Sequence, residues 1–311
     1  MILGIDTSNY TTSAALLDTS GKLIAQKRER LEVEQGERGL RQSEAVFQHV
    51  KKLPQVIAKV AEGKKEELTK LVVSTSPTSQ QDSYMPVFRV GEGQARSLAS
   101  ILGLSLLEVS HQEGHLMAGV WSSGLDVEEF LAVHLSGGTS ELLKVSKKQG
   151  LGFEVEVLGT SQDLHAGQFI DRVGVELGLP FPAGPSLEEL AVEGELGEVV
   201  IPSAVDGYQI SFSGPTSAAM RAIEAGEKKA NIALAVQQAI ANTVEKVLRK
   251  AIGEEELTEI LIVGGVAANQ YLRERLRKRL EHPGVGAELY FAEPKWSSDN
   301  AVGTAALALG Q

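Results

Sequence analysis

Hydrophobic and polar residues follow a regular series in the first part of the chain. Apolar stretches within residues 1–31 predict three successive strands, MILGID, SAALLD and KLIAQKRERL. Apolar residues then recur at helical spacing over 45–63, a helix that Pro54 is expected to interrupt. A short apolar strand, KLVVSTS, and a helix ending on Gly103 follow. The pattern predicts the order strand, strand, strand, helix, strand, helix.

A similar series begins again after residue 128. Its predicted elements are three strands within 130–161, a helix over 166–179 capped by Gly178, a long helix over 231–253, a strand over 259–265 and a helix over 268–280. The repetition predicts a duplicated α/β fold. We expect a first unit of residues 1–128 and a second unit of residues 129–295, with a C-terminal helix at about 296–311 that completes the first unit.

Each unit opens with an apolar strand that runs into a turn of small residues, DTSNYTTS (6–13) in the first and SGGTSE (136–141) in the second. Two facing α/β units form a cleft, and two such turns can surround a phosphate with backbone N–H groups and hydroxyls. Either turn alone also fits an ordinary β-hairpin. Their equivalent positions, and the double glycine between strand and helix in LIVGGVAANQYLRERL (261–276), favour a nucleotide site.

Composition limits the compartment and the chemistry. The chain has 311 residues, is 42% hydrophobic as globular proteins are, and contains no cysteine. Disulfides and thiolate metal sites are therefore excluded, and a metal would need His, carboxylate, Tyr or water ligands. The first residues, MILGIDTS, lack a basic signal-peptide region, and no window approaches the length of a membrane span. We expect a cytoplasmic protein that does not enter a membrane.

The chain is acidic, with a formal net charge of −11. This argues against non-specific nucleic-acid binding by the whole surface, so that any RNA contact must be local. The one dense basic run, YLRERLRKRLE, holds Arg273, Arg275, Arg277, Lys278 and Arg279. A solvated helix face with its own Glu partners is favoured for it over a nucleic-acid surface.

Two of the six histidines, His111 and His115, stand four residues apart in HQEGH. On a helix they lie on the same side, so both imidazoles can reach one metal ion, and chance spacing on an amphipathic helix is the alternative. Zinc peptidases need a carboxylate beside the metal. Glu113 lies about 200° around the helix from His111 and would point away from the ion. The spacing permits a metal pair and disfavours a protease.

Several motifs together resemble the TsaD family, the bacterial tRNA threonylcarbamoyl-adenosine transferases once described as glycoprotease-like. They occur in the family's order and span nearly the whole chain: GIDTSNYTTS (4–13), HQEGH (111–115), LSGGTSEL (135–142), AGQFIDRVGVELGLPFPAGPSLEELA (166–191), SFSG (211–214), VGGVAAN (263–269) and SSDNAVGTAAL (297–307). The resemblance implies the duplicated actin, hexokinase and Hsp70-type fold (ASKHA), whose α/β units are RNase H-like.

The resemblance implies one divalent metal ion, iron or zinc. In the family, the H-x-E-G-H pair and the Asp of the late D-N motif hold it, so His111, His115 and Asp299 are the corresponding ligands here. Archaeal and eukaryotic relatives have a Tyr just before the second phosphate turn, and His134 occupies that place. His134 is expected either as a fourth ligand or as a strand histidine at the edge of the cleft.

The resemblance also implies a site for an adenine nucleotide, either ATP or threonylcarbamoyl-adenylate. Its expected residues are Gly137, Gly138 and Thr139 at the phosphate, Gly167 and Asp171 at the ribose, Gly184 in the following turn, and Gly265 and Asn269 beside the adenine. Asp6 and Ser8 of the first turn are the expected catalytic residues, and Asp6 stands where the family usually has Glu.

The implied reaction moves a threonylcarbamoyl group from its adenylate to the amine of an adenosine in tRNA. The metal would act as a Lewis acid, and no protein nucleophile is required. The implied partners are an adenine nucleotide, tRNA as the candidate acceptor, and, in a hetero-oligomer, a paralogous subunit and a small ATPase.

The chain departs from the family on the side of the substrate. The family's S-C-D-E-T-S becomes SNYTTS (8–13), without its two acids, and SFSG is followed by Pro215 and Thr216. Three functions therefore stay open: a divergent transferase, a nucleotide- and metal-binding paralogue that is an ATPase or acts on another acceptor, and a catalytically silent partner subunit. Retention of the three metal-ligand residues favours an enzyme over a silent subunit.

Overall fold

Two mixed five-stranded sheets carry the fold, and a two-stranded hairpin lies beside the second sheet. The computed structural model of the protein describes residues 1–8, 10–33, 39–148 and 152–309, so that Asn9 of the first turn lies outside the described residues. In each sheet, helices lie between successive parallel strands along the chain. The predicted duplicated α/β fold is confirmed.

The first sheet places several polar residues at one edge. Its strands are β1 (Ile2–Ser8), β2 (Thr11–Leu17), β3 (Leu23–Arg30), β4 (Lys70–Ser76) and β5 (Ser105–Ser110). Their order is β3-β2-β1-β4-β5, antiparallel from β3 to β1 and parallel from β1 to β5. The carboxyl ends of β1, β4 and β5 therefore meet at the same edge of the sheet. Every residue of β1 and β2 is buried, the polar ones included.

The second sheet repeats this arrangement. The strands of the second unit are β6 (Glu129–Leu135), β7 (Ser140–Lys147), β8 (Phe153–Thr160), β9 (Ala204–Asp206), β10 (Gln209–Ser211), β11 (Glu259–Val263) and β12 (Glu288–Phe291). The sheet has the order β12-β11-β6-β7-β8, with β6, β7 and β8 antiparallel and β6, β11 and β12 parallel. The turns β1–β2 and β6–β7 are thus equivalent hairpins, as the repeated pattern predicts.

Helices flank both sheets. They are α1 (Gln42–Val60), α2 (Phe88–Leu102), α3 (His111–Ser123), α4 (Ala166–Glu176), α5 (Gly184–Ala191), α6 (Ser213–Glu224), α7 (Lys229–Glu255), α8 (Gln270–Leu280), α9 (Pro294–Ser297) and α10 (Val302–Ala306). No helix in the described part of the chain is long and apolar enough to cross a membrane.

Two predicted elements were wrong. Helix α1 continues through Pro54, which lies on its exposed face. Proline has no N–H to donate to the Val50 carbonyl, but Val50 is exposed, so that water can hydrate this carbonyl instead. The C-terminal helix predicted at about 296–311 is split into α9 and α10. The Asn300 side chain separates them: it donates to the Trp296 carbonyl at 2.9 Å and accepts from the Val302 amide at 2.9 Å. Asp299 therefore lies in a turn.

Helix α3 is held between the two units. On one side, α10 packs against α3, β1 and β2, and a Cβ at Gly303 would overlap the carbonyl oxygen of Gly114 in α3. On the other side, α3 contacts β11 and β12, and a Cβ at Gly119 would lie 2.6 Å from the Val263 side chain. Only glycine permits these close approaches. The C-terminal segment thus packs on the first unit, next to the helix that carries the two histidines.

Candidate functional site

A capping box fixes the start of α3. The Ser110 hydroxyl accepts from the Glu113 amide at 3.2 Å, and the Glu113 carboxylate accepts from the Ser110 amide at 3.0 Å. Glu113 is committed to this cap and does not face the two histidines. His111 is the first residue of α3, and His115 follows one turn later on the same side, with ring centroids 4.5 Å apart.

The turn between α9 and α10 brings a carboxylate to this pair. Asp299 Oδ1 lies 3.3 Å from His115 Nε2 and 3.5 Å from His111 Nε2. One donor atom from each of the three residues lies within 4.8 Å of the others. The three residues implied as ligands are therefore together, although 184 positions separate His115 from Asp299.

Asp6 orients the imidazole of His111 through its Nδ1 atom. Its carboxylate lies 2.9 Å from His111 Nδ1, accepts from the Ser8 hydroxyl at 2.6 Å, and accepts from the Ser74 hydroxyl. With Nδ1 bonded to a carboxylate, Nε2 of His111 is directed at Asp299, an arrangement known from histidines that ligate metals. Asp6 and Ser8 are both fully buried. This placement favours a positioning role over contact with a substrate for the two residues expected to be catalytic.

Charge is concentrated in this cluster. Burial disfavours the charged form of His111, but Asp6 and Asp299 outweigh that effect and raise the pKa of His111 to about 10. Burial likewise opposes ionisation of Asp299, yet the two histidines hold the pKa of its carboxyl well below its usual range. Burial and the neighbouring His111 lower the pKa of His115. Two carboxylates, Asp6 and Asp299, thus face this pair of imidazoles.

His134 adds a third imidazole. It is 2% exposed, its ring centroid lies 4.8 Å from that of His115, and burial lowers its pKa well below the usual value. Among the described residues, neither ring nitrogen of His134 has a hydrogen-bond partner. Such buried, unpaired nitrogens are costly unless something binds them. The donor set of imidazoles and one carboxylate therefore fits a divalent metal ion.

The turn at 136–139 lies two residues beyond His134. Its Gly137 and Gly138 are exposed, and the Ser136 amide donates to the Thr139 carbonyl at 2.8 Å, which closes the hairpin. The N-terminus of α4 packs directly on it: the Gly167 amide donates to the Ser136 carbonyl at 3.1 Å. A Cβ at Gly167 would lie 2.8 Å from three backbone atoms of this turn. The start of α4 thus lies directly against the glycine turn, and a glycine turn beside a helix N-terminus is a kind of place that suits a phosphate.

Asp171, one turn further along α4, holds the segment before α5. Its carboxylate accepts from the Ala183 amide at 2.8 Å, and burial raises its pKa. Gly184 then begins α5 in open space, where a Cβ would meet nothing within 4 Å. Asp171 thus lies next to the turn that leads into Gly184.

Gly265 and Asn269 differ in whether they are free to contact a ligand. Gly265 begins a short 3-10 turn, Gly265–Ala268, in open space. The Asn269 oxygen caps α8 by accepting from the Leu272 amide at 2.8 Å, and its nitrogen donates to Gln237 at 3.0 Å. The amide of Asn269 is thus already used inside the protein. It positions the start of α8, and Glu188 of α5 accepts from the next amide, that of Gln270, at 2.7 Å.

The basic run on α8 is largely occupied by protein partners. Arg273 donates to the carbonyls of Ala267 and Ala292, and Arg279 bonds the buried Glu245 of α7 at 2.9 Å. Arg277 pairs with Glu281 at 2.7 Å. These contacts support the interpretation as a helix face with acidic partners.

Residue patterns missed three contacts that the structure shows. Ser74, at the end of a buried strand, bonds Asp6. Gln112 of α3 donates to Glu141 of the second unit at 2.6 Å, which ties the histidine helix to the strand after the second turn. Tyr10 touches Phe181 across the cleft. The small-residue turns contain Asp6, Tyr10 and Glu141, and other quoted motifs contain Gln112 and Phe181, but none of them identified the partners.

Comparison with known sequences relates the chain to one family. The family model for TsaD, tRNA N6-adenosine threonylcarbamoyltransferase, matches residues 23–306. A tRNA N6-adenosine threonylcarbamoyltransferase of Archaeoglobus fulgidus is 30% identical over 298 residues, which cover 96% of this chain and 87% of the relative. One from Methanopyrus kandleri is 33% identical over 267 residues, covering 84% and 73%. A probable bifunctional tRNA threonylcarbamoyladenosine biosynthesis protein of Methanothermobacter thermautotrophicus is 28% identical over 300 residues, which are 96% of this chain and 54% of the relative.

Solved structures with similar folds are distant in sequence. Component A of the (R)-2-hydroxyglutaryl-CoA dehydratase from Acidaminococcus fermentans superimposes with a TM-score of 0.59 at 16% identity, covering 98% of this chain and 96% of that one. HypF in its phosphate- and nucleotide-bound form gives 0.63 at 14% identity, covering 99% and 55%. A ROK family glucokinase from Streptomyces griseus gives 0.54 at 12% identity, covering 99% and 98%. The predicted ASKHA fold is confirmed.

Proposed function

Because this chain belongs to the TsaD family of tRNA N6-adenosine threonylcarbamoyltransferases, we propose that it transfers a threonylcarbamoyl group from threonylcarbamoyl-adenylate to an adenosine of tRNA. One observation carries the proposal: His111, His115 and Asp299 offer donor atoms within 4.8 Å of one another, next to His134 at the base of the second turn. The proposal therefore puts a metal site next to a phosphate site, as a transfer from an acyl phosphate needs.

His111, His115 and Asp299 would hold one divalent ion, iron or zinc, with His134 as a fourth ligand. When bound, the ion would polarise the carbamoyl oxygen as a Lewis acid. Asp6, through its bond to His111 Nδ1, keeps the other ring nitrogen directed at the site. The unpaired nitrogens of His134 support the fourth ligand.

The nucleotide would lie against the second unit. Gly137, Gly138 and Thr139 would bind its phosphate through backbone N–H groups, with Gly167 packed behind them. Asp171, beside Gly184, would accept from the ribose hydroxyls. Gly265 would approach the adenine ring, while Asn269, whose amide caps α8, would fix the backbone at that place.

The reaction itself needs positioning more than covalent chemistry from the protein. The adenosine amine forms a C–N bond to the carbamoyl carbon, the bond from that carbon to the phosphate oxygen breaks, AMP leaves, and the amine loses a proton. The two turns and Asp171 hold the adenylate in place for this attack, which lowers the entropic part of the barrier.

A second function is supported by the first turn. The two acids of the family are absent from it, and Tyr10 reaches from there to Phe181 of the second unit. This change concerns the substrate side of the cleft, whereas the metal and phosphate residues are kept. It favours, as the alternative, a paralogue that hydrolyses ATP or acylates another acceptor.

The arrangement in the cell is also a proposal. We expect the chain to act in a hetero-oligomer with a paralogous subunit and a small ATPase, in the cytoplasm, with the units 1–128 and 129–295 closing on the nucleotide. The family relationship supports these expectations, and the packing of α10 on β1 and α3 supports the assignment of the C-terminal segment to the first unit.

A transfer assay tests the proposal. The purified chain, with its metal content measured, would be incubated with threonylcarbamoyl-adenylate and unmodified tRNA, with and without the two bacterial partner types. We expect modified adenosine in the tRNA from the wild-type chain, loss of product and of bound metal in His115→Ala, and neither loss in the exposed control His282→Ala. Full metal content in His115→Ala would discard the ligand assignment. No product despite tight metal and nucleotide binding would favour the second function.

A further inference from the structure

Tyr10 reaches from the first unit to the ribose side of the second. The carbonyl of Tyr10 accepts from the Leu31 amide at 2.8 Å, which anchors its backbone to the chain beyond β3. Its ring meets that of Phe181 edge to face, with centroids 5.5 Å apart and an interplanar angle of 70°. Phe181 lies between α4 and α5, two residues before Ala183, whose amide bonds Asp171.

The contact with Phe181 brings Tyr10 to the segment that Asp171 holds through the Ala183 amide. Burial raises the pKa of the Tyr10 hydroxyl. A hydrogen bond from the Leu40 backbone amide to the hydroxyl oxygen lowers this pKa, and the negative charge of Asp171 raises it. Gly39 approaches so closely that a Cβ there would lie 2.6 Å from this oxygen. A phenol that accepts from Leu40 keeps its own hydrogen as a donor for another acceptor.

We propose that Tyr10 is a nucleotide-binding residue, which donates a hydrogen bond to a ribose hydroxyl of the nucleotide from the side opposite Asp171. The inference rests on the proposed nucleotide site and adds to it a contact from the first unit. A ribose hydroxyl between the two side chains accepts from Tyr10 and donates to Asp171, so its donor and its acceptor capacity are both used.

Tyr10 also stands where the family commonly has an acid. A carboxylate there would face Asp171 with the same charge, whereas a phenol supplies a donor and an aromatic surface for Phe181. The nucleotide is then held by both units, and its ribose is recognised by one donor and one acceptor.

The test combines a protein change with a ligand change. Binding of ADP and of 2′,3′-dideoxy-ADP to the full, metal-loaded chain would be measured calorimetrically for the wild type, Tyr10→Phe, Tyr10→Ala and the control Tyr290→Phe. Tyr290 donates to Glu288 at 2.6 Å on β12, so its substitution removes a hydroxyl bond away from the cleft. Thermal unfolding would be recorded for every variant.

We expect Tyr10→Phe to bind ADP about five-fold more weakly than the wild type, the effect of one hydrogen bond, and to bind dideoxy-ADP as the wild type does. Tyr10→Ala should lose affinity for both ligands, since the contact with Phe181 is lost too, and Tyr290→Phe should change neither. Equal ADP affinity in Tyr10→Phe, or the same loss with both ligands, would overturn the ribose contact and leave a packing role. A wild-type chain that binds no ADP would instead reject the nucleotide site, and the role of Tyr10 with it.

Discussion

Replacing Gly167 by Ala probes the contact between α4 and the phosphate turn. The new Cβ would lie 2.8 Å from Gly137 Cα, Gly137 N and the Ser136 carbonyl oxygen. Ordinary van der Waals contact begins at 3.4 Å, so turn and helix must separate by 3.4 − 2.8 = 0.6 Å. All three atoms belong to the backbone, and no side-chain rotation relieves the overlap.

The expected cost follows from this separation. The hydrogen bond from the Gly167 amide to the Ser136 carbonyl, 3.1 Å long, would be stretched to about 3.7 Å and lost, if the displacement lies along it. Overpacking of this kind destabilises proteins by about 1–3 kcal/mol. The displaced turn would also lose one or two hydrogen bonds to a phosphate, a loss of about 5- to 30-fold in nucleotide affinity.

Urea unfolding and calorimetric titration with ADP would measure both effects. Gly253→Ala is the matched control, because Gly253 is an exposed residue of α7 with nothing within 4 Å of a new Cβ. Helix propensity predicts that this substitution stabilises by about 0.5–1 kcal/mol without affecting ADP. Gly167→Ala should therefore lower the free energy of unfolding, and Gly253→Ala should raise it. A Gly167→Ala chain as stable as wild type, with unchanged ADP affinity, would refute the packing argument.

Three further expectations concern the acids around the cleft. Asp171→Ala should weaken ADP binding about 10- to 100-fold, because the ribose loses a charged acceptor, and an unaltered dissociation constant would discard that role. The Asp163 carboxylate accepts from the Phe212 amide at 2.9 Å. Burial opposes ionisation of Asp163, but its bonds to Ser211 and nearby amides lower its pKa to about 2. Asp163→Ala should therefore lower the free energy of unfolding in urea by about 1 kcal/mol, and no change would show that water replaces these bonds. In the metal-free chain, the raised pKa of His111 means that its ion pairs stabilise fully below pH 6.5 and that this stability is lost as the pH rises through about 10. Asp6→Asn should flatten this dependence in unfolding experiments at several pH values, and an unchanged profile would contradict the Asp6–His111 interaction.

The residue pattern alone predicted many of the strands and helices, but not β5, β12, α5 or α6. Apolar runs located four of the five strands of the second sheet and missed β12. The HQEGH spacing placed two imidazoles on one helix face. These features are local, since periodicity and capping depend on residues only a few positions apart. Local rules failed at Pro54, where exposure of the helix face decided the outcome, and at Asn300, whose side chain divides α9 from α10.

Tertiary structure decided which of these residues meet. Asp6 reaches Ser74 and His111 because β1, β4 and β5 are parallel and their carboxyl ends share an edge. Tyr10 reaches Phe181 only because two units face each other. Such contacts join residues 68 to 171 positions apart. These contacts depend on the order of the strands and on helix packing. The spacing of residues within one segment carries no information about either.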